Sequence, residues 1–133
     1  MLGAAWAAPM LQVGFRWATL TAILVAAAGA AIAIAGVIQF ARARTTVNPL
    51  QPDAASSLVS GGVYRWTRNP MYLGMALVLL GWATYLSSIA ALAVLPLFIV
   101  YITRFQIAPE ERALEARFGA EFARYRKAVR RWL

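Results

Sequence analysis

The sequence contains no cysteine and no histidine. Disulfide bonds, thiolate nucleophiles, histidine acid–base catalysis and metal sites built on these residues are therefore excluded, and we predict no metal. Acidic residues are also few, with 5 Asp and Glu against 13 Lys and Arg and a net charge of +8. Any chemistry must rest on these carboxylates, on arginine, tyrosine and backbone groups, or on a cofactor.

Hydrophobic residues dominate the composition. They make up 62% of the 133 residues, while charged residues make up only 14%. A soluble domain is nearer about 45–50% apolar, and a chain this short has little interior in which to hide the excess. We therefore predict an all-α integral membrane helical bundle in one domain, 1–133. Basic residues flank the cytoplasmic ends of membrane helices, so the charge is assigned to the membrane and not to nucleic acid.

Two apolar segments precede residue 45. Residues 1–16 are short, contain Pro9, and carry no charge before Arg16, so we expect a short N-terminal helix that spans the membrane and no cleaved signal peptide. A helix lying in the interface is the alternative. Residues 17–41 are uncharged and predict a long transmembrane helix. Its small residues Gly29 and Gly36 permit close packing with another helix, or with a second copy in a homo-oligomer.

A long loop and a helical hairpin are predicted next. Residues 45–70 are rich in Pro, Gly, Asn and Ser, which are turn formers, and loops of this length are often functional. Residues 71–105 are apolar, with a turn at Ser87–Ser88, and predict hairpin arms over 71–86 and 89–105, the second kinked at Pro96. Basic residues flank the hairpin, so we expect the loop and the C-terminus on the cytoplasmic side of a bacterial inner membrane.

The residues after the hairpin predict an amphipathic helix over 109–131. Pro109 suits the first helical position, and Glu110 and Glu111 suit the first turn, where the helix dipole favours anions. Gly119 is a position where the helix can break or bend. Basic residues suit an anionic surface of membrane lipids. Apolar residues share one face by their helical spacing: Leu114, Phe118, Phe122, Tyr125, Val129 and Trp132.

Two clusters are candidates for chemistry. Near Asn69–Pro70, a helix N-terminus with Arg65 and Arg68 favours an anion, and Tyr64 and Tyr72 offer flat faces for stacking. The alternative is an interfacial belt of aromatic residues with basic flanks. The pair 110–111 either interacts only with the helix dipole or binds a ligand ammonium.

Three stretches together carry a family pattern: RTTVNP (44–49), SSLVSGGVYRWTRNPMYLG (56–74) and PEERALEARFGAEFARYRKAVRRWL (109–133). Two spaced motifs, one in the second stretch and one in the third, agree with that pattern in order and register. They resemble the isoprenylcysteine carboxyl methyltransferase family, most closely its small bacterial members related to phospholipid methyltransferases. The resemblance implies an integral membrane methyltransferase. It would hold S-adenosyl-L-methionine between the loop, residues 45–70, and the C-terminal segment that contains the amphipathic helix, residues 109–133, here called the tail.

The resemblance also implies site residues. Those expected to contact the cofactor are Ser56, Ser57, Leu58, Val59, Tyr64, Asn69, Pro70, Met71, Tyr72 and Glu110. Gln106 is expected at the substrate, where some relatives carry arginine, and Arg104 is the nearest basic alternative. Independently of the resemblance, Arg65, Arg68 or Arg104 is expected to orient an acidic or phosphate-bearing head group. Asn69 stands where the family usually has histidine, which weakens an acid–base role but keeps binding through an amide. Phe122 replaces a tyrosine, and the amino-terminal part is short.

The expected acceptor is a lipidic or isoprenoid-like molecule. An ionised carboxylate would need no general base, and arginine would orient an acidic or phosphate-bearing head group. A phospholipid amine and a prenylated cysteine stay open. Two other classes stay open as well: a non-enzymatic membrane protein that binds a lipid or a partner helix, and a membrane reductase, against which the short chain argues.

Overall fold

A computed structural model describes the backbone of residues 3–44 and 58–133, with the side chains of 16–43 and 58–133. Within these residues every regular element is helical and no strand occurs, which confirms the predicted all-α class for this part of the chain. The elements are α1 (Gly3–Arg44), a 3₁₀ helix (Gly62–Arg65), α2 (Pro70–Leu86), α3 (Ile89–Ile102), a π-helical turn (Thr103–Ile107), α4 (Ala108–Phe118) and α5 (Ala120–Ala128).

Helices α1 and α2 approach closely because glycines line their contact. A Cβ atom on Gly29 would lie 2.6 Å from the carbonyl oxygen of Gly74, and one on Gly36 would lie 2.8 Å from Cγ of Pro70. A Cβ atom on Gly81 would likewise meet the backbone of α1. The small-residue face predicted at Gly29 and Gly36 is therefore used within the chain, and a second copy would have to pack elsewhere.

The hairpin turn lies where the sequence predicts it. Ser87 ends α2 in the left-handed conformation, with φ 50° and ψ 39°. Ser88 then caps α3, because its side-chain oxygen accepts a hydrogen bond from the amide of Ala91 at 3.3 Å. A capping serine satisfies one of the free amides at a helix start. Ser87 therefore ends α2, and Ser88 begins α3. Pro96 lies inside α3, and the kink predicted there stays a prediction.

Residues 3–16 are the first turns of α1 and not a helix of their own, which corrects the prediction for 1–16. The backbone is one helix of 42 residues that passes through Pro9. A proline removes one backbone hydrogen bond, but residues 10–16 contain no turn-forming pair that would end the helix. The chain therefore continues as helix.

The helix also continues between the hairpin and the tail, where the sequence predicts a break between 105 and 109. The amide of Ala108 donates to the carbonyl oxygen of Thr103, five residues earlier, which is the π pattern. Pro109 follows directly, and proline has no amide hydrogen to donate. The wider turn lets α3 run into α4 without that bond, so Pro109 does not begin a separate helix.

A break occurs instead at Gly119, so the helix predicted over 109–131 is two helices. Gly119 has φ 53° and ψ −118°, a conformation that glycine adopts far more easily than residues with a Cβ atom. The backbone becomes extended at Val129, which ends α5 earlier than predicted. Phe122 of α5 is only 2% exposed, so the predicted apolar face is directed into the protein.

Two helical stretches are long and apolar enough to cross a membrane, Arg16–Ala43 with 28 residues and Ile89–Phe118 with 30 residues. Pro70–Leu86 is apolar but shorter. Large apolar side chains on these helices face outward, among them Leu24, Ile34, Leu97 and Val100. Such extensive exposed apolar surface is typical of a protein that is covered by lipid.

The close contact of α1 and α2 predicts that Gly29→Leu is destabilising. The new side chain would collide with backbone atoms of α2, and overpacking of this kind costs about 1–3 kcal/mol. The adjacent substitution Ala30→Leu is the matched control, because Ala30 is exposed. Unfolding by SDS titration in detergent micelles, followed by circular dichroism, measures both. Equal stability of the two variants would contradict the packing described here.

Candidate functional site

The described part of the loop, residues 58–69, is ordered by its own short helix. The amide of Tyr64 donates to the carbonyl oxygen of Gly61 at 3.1 Å, and that of Trp66 donates to Val63 at 3.1 Å. Asn69 then precedes α2, and its carbonyl oxygen accepts from the amide of Leu73 at 2.9 Å. The loop therefore leads directly into the first turn of α2.

Residues 129–131, here called the strap, follow α5 and lie against the loop. Three hydrogen bonds join the loop to the strap and a fourth joins it to α5. They are Arg68 N to the carbonyl oxygen of Arg130 (3.0 Å), Thr67 Oγ1 to that of Arg131 (3.2 Å), Asn69 Nδ2 to that of Arg131 (2.9 Å), and Tyr125 Oη to that of Tyr64 (2.7 Å). The loop and the tail, predicted to meet on one membrane face, are therefore in direct contact.

An ion cluster at Glu111 connects α4 with both of these segments. Arg68 Nη1 of the loop donates to Glu111 Oε1 at 3.0 Å. Arg131 of the strap donates to the same carboxylate twice, from Nε to Oε1 at 3.0 Å and from Nη2 to Oε2 at 2.8 Å. The side chains of Arg68 and Glu111 are only 10% and 11% exposed. One carboxylate therefore holds guanidinium groups from two distant parts of the chain.

A cavity of about 510 Å³ lies between the loop and the tail, and we call it the loop–tail cavity. Its volume is within the range of about 300–1,000 Å³ that is usual for small-molecule sites. Aromatic side chains supply much of its wall: Phe40, Tyr64, Tyr72, Phe118, Phe122 and Tyr125. The described acidic residues that line it are Glu110 and Glu111.

The two carboxylates of the cavity differ in their surroundings. Glu111 is buried in the ion cluster, whereas Glu110 is exposed and accepts one short hydrogen bond, from Tyr72 Oη to Oε1 at 2.6 Å. An ionised carboxylate has about four acceptor positions. Glu110 therefore has capacity for a ligand, and Glu111 is already engaged by two arginines.

Burial and these contacts shift the pKa values of several groups at the cavity and in the ion cluster, among them Tyr64, Arg68 and Arg131. Burial, and secondarily the charge of Glu110, raise the pKa of Tyr64 to about 12. Burial lowers the pKa of Arg68 despite the opposing charge of Glu111, and the hydrogen bonds to Glu111 raise the pKa of Arg131. Tyr64 is protonated at neutral pH, and its raised pKa keeps it protonated at higher pH as well.

The structure brings most of the predicted cofactor residues to this cavity. Its lining includes the predicted cofactor residues Leu58, Val59, Tyr64, Asn69, Met71, Tyr72 and Glu110, and also Arg68, which is predicted at the substrate. Pro70 is buried against α1 and is not part of the lining. Ser56 and Ser57 lie outside the described residues. Arg104 and Gln106 are exposed on the π-helical turn and do not line the cavity. The functional roles of all these residues stay predictions.

Sequence reasoning missed the ion cluster and the strap. The sequence pairs Glu111 with Glu110 in the first turn of a helix, and no pattern in it separates Arg131 from the other basic residues of the C-terminal segment. Arg68, predicted at the substrate head group, is bound to Glu111. Glu111 differs from Glu110 by its burial, which the sequence does not show. Thr67 is also buried, with only 1% exposure, and no local sequence motif marks it.

The hydrogen bond from Asn69 to the strap can be tested by a substitution that keeps the shape of the side chain. Asn69→Asp replaces the Nδ2 donor by an oxygen that faces the carbonyl oxygen of Arg131, and an unsatisfied or repelled buried acceptor costs about 1–3 kcal/mol. Asn69→His, the residue that the family resemblance gives this position, restores an N–H donor and should cost less. Thermal unfolding in detergent compares the variants. An unchanged melting temperature for Asn69→Asp would show that the bond does not stabilise the fold.

Comparison with known proteins places this geometry in a family. The chain is 52% identical over 64 residues to an uncharacterized protein of Haemophilus influenzae, an alignment that covers that whole relative and 47% of this chain. No solved structure matches it. Residues 17–121 match the family described as phospholipid methyltransferase. This match spans most of the chain and includes the lining residues of the loop–tail cavity except Phe122 and Tyr125. The family resemblance is therefore confirmed, and the chain belongs to the phospholipid methyltransferase family of membrane methyltransferases.

Proposed function

We propose that the chain is an S-adenosylmethionine-dependent methyltransferase that binds the cofactor in the loop–tail cavity and methylates a lipidic or isoprenoid-like acceptor. The observation that carries the proposal is that this one cavity is lined by both family motifs, residues from 58–72 on one side and from 110–125 on the other. Family membership supplies the reaction class, methyl transfer.

The residues of the cavity fit the chemistry of this cofactor. S-adenosylmethionine contains an adenine ring, an amino-acid end with an ammonium and a carboxylate, and a sulfonium between them. Tyr64, Phe118, Phe122 and Tyr125 offer aromatic faces for the ring and the positively charged sulfur. The exposed carboxylate of Glu110 offers acceptors for the ammonium. Both ends of the cofactor therefore find suitable partners.

Glu110 is the better candidate for the ammonium than Glu111. A carboxylate that is bonded to two guanidinium groups has little left to offer a third cation, and disrupting such a buried cluster is costly. Tyr72 donates to Glu110 and fixes the orientation of its carboxylate. In this proposal Tyr72 and Glu110 act as one unit that binds and orients the amino-acid end.

The protein's part in the reaction is alignment. When bound, the cofactor supplies a methyl group on a positively charged sulfur that a nucleophile displaces without further activation. The chain has no histidine or cysteine, and Tyr64 is protonated at neutral pH, as a tyrosine with the ordinary pKa of about 10 would also be. A nucleophile that is already ionised, such as a carboxylate, needs no base from such a site. This favours a carboxylate acceptor over a protonated amine.

The surroundings of the site support an acceptor that partitions into membranes. Two helical stretches that are able to cross a membrane include residues of the cavity lining. The expected head-group residues Arg104 and Gln106 are exposed on the π-helical turn that precedes α4. An apolar acceptor tail would lie in the bilayer while these groups orient its polar end. Following the positive-inside rule, we place this end on the cytoplasmic face of a bacterial inner membrane.

The first test is cofactor binding by a charge-neutral variant. Glu110→Gln removes the charge that attracts the ammonium, and the loss of one charge-assisted contact is worth about 1.5–3 kcal/mol, roughly a tenfold to hundredfold rise in Kd. Isothermal titration of the detergent-solubilised protein with S-adenosylmethionine measures it. Glu115→Gln is the matched control, because it makes the same chemical change on α4 at a residue that does not line the cavity.

Two outcomes of that titration would count against the proposal. If wild type is folded but does not bind S-adenosylmethionine, the non-enzymatic alternative, a membrane protein that binds a lipid or a partner helix, replaces it. If wild type binds and Glu110→Gln binds equally well, Glu110 is not the ammonium ligand. Incubation with methyl-labelled cofactor and a total lipid extract then identifies the acceptor by its label.

A further inference from the structure

We propose that Glu111 is a positioning residue of the loop–tail cavity, which acts by fixing the strap so that the strap holds Asn69 in the cavity wall. The inference rests on the proposed function, because it treats the loop–tail cavity as the cofactor site. It assigns to the two adjacent glutamates different tasks: Glu110 contacts the ligand, and Glu111 holds the wall.

The first step concerns Arg68. Its guanidinium is nearly buried and its Nε has no hydrogen-bond partner among the described residues. Buried donors are normally paired, so this arginine is held with fewer bonds than it could make. Within the described residues the carboxylate that contacts it is that of Glu111. Removing this carboxylate would leave Arg68 buried without a counter-charge, and the loop would have to move to hydrate it.

The second step concerns Arg131. Its side chain binds both oxygens of Glu111, a bidentate geometry that fixes the direction of the guanidinium as well as its distance. The carbonyl oxygen of the same residue accepts from Asn69 Nδ2 and Thr67 Oγ1. The side chain of Arg131 is therefore anchored to α4 while its backbone anchors the loop.

The third step connects this chain of contacts to the ligand site. Asn69 lines the loop–tail cavity and immediately precedes Pro70, the first residue of α2. Thr67 does not line the cavity, but its hydroxyl also accepts from the amide of Asn69 at 3.2 Å. The position of Asn69 therefore depends on Arg131, and that of Arg131 depends on Glu111. Small displacements of a binding group are enough to weaken binding strongly.

The test compares Glu111→Gln with Glu115→Gln, one turn further along α4. In the protein that remains folded, we expect Glu111→Gln to raise the Kd for S-adenosylmethionine by about tenfold or more, with one binding site per folded molecule retained. Glu115→Gln should leave the Kd unchanged. A role in folding alone would lower the melting temperature and the folded fraction of Glu111→Gln but not its Kd, and that result would overturn the proposal.

A second pair of variants covers the case in which Glu111→Gln fails to fold. Arg131→Gln leaves the Arg68–Glu111 pair intact, and Arg130→Gln is its control, because only the backbone of Arg130 contacts the loop. Arg131→Gln should raise the Kd and Arg131→Lys should raise it less, since lysine keeps the charge but loses the bidentate contact. Equal affinity of Arg131→Gln and Arg130→Gln would refute the role of the strap.

A measurement without cofactor separates this inference from the proposed function. The amide of Arg68 donates to the carbonyl oxygen of Arg130, so its hydrogen exchange reports contact between the loop and the strap. Glu111→Gln or Arg131→Gln should speed this exchange by about tenfold, and unchanged exchange would contradict the inference even if wild type binds the cofactor. Faster exchange in a protein that does not bind S-adenosylmethionine would contradict the proposed cofactor and leave the positioning of the cavity wall standing.

Discussion

The Glu111 carboxylate lies between two arginines that come from the loop and from the strap, and the shape of the candidate site depends on this arrangement. Charges are costly to bury unless each has a partner. Once Arg68 and Glu111 are almost excluded from solvent, Arg131 completes the cluster with a bidentate contact. The cluster brings α4, the loop and the strap to one point, and the loop–tail cavity is the space that remains between them.

The membrane part of the fold brings these segments together. Glycines allow α1 and α2 to touch along their backbones, which leaves the start of α2 and the loop before it at one end of the pair. The turn at Ser87–Ser88 returns the chain to that same end through α3. The π-helical turn then carries the helix into α4 without a break. Gly119 separates α4 from α5, and Phe122 and Tyr125 of α5 line the cavity. Apolar helices thus build the frame, and polar contacts close the site.

The sequence predicts well the features that depend on local chemistry. The serine pair marks the hairpin turn because serine caps helices, and the small residues at Gly29 and Gly36 mark a close helix contact because nothing larger fits. The motif residues Tyr64, Asn69, Tyr72 and Glu110 were placed on facing segments by topology and by family resemblance, and they do line one cavity.

The features that the sequence does not reveal depend on how the helices are oriented in the whole fold. Proline suits the first position of a helix and also the position after a π-helical turn. Pro109 therefore does not reveal that α3 continues into α4. Glu110 and Glu111 are chemically identical, and only the angle of α4 to the loop decides which one is buried. Arg131 follows the helix break at Gly119, and no sequence pattern specifies the path of the chain after that break. Its pairing with Glu111 therefore does not follow from their spacing in the sequence.

We propose that the loop and the tail together enclose one cofactor site, and photolabelling can detect such a site. The protein is irradiated with radiolabelled S-adenosylmethionine in detergent, and the labelled peptides are mapped. We expect label in peptides from both sides of the cavity, within 58–72 and within 110–125, and competition by unlabelled cofactor. Label confined to the apolar faces of α1 and α3, or no label in folded protein, would contradict the proposal.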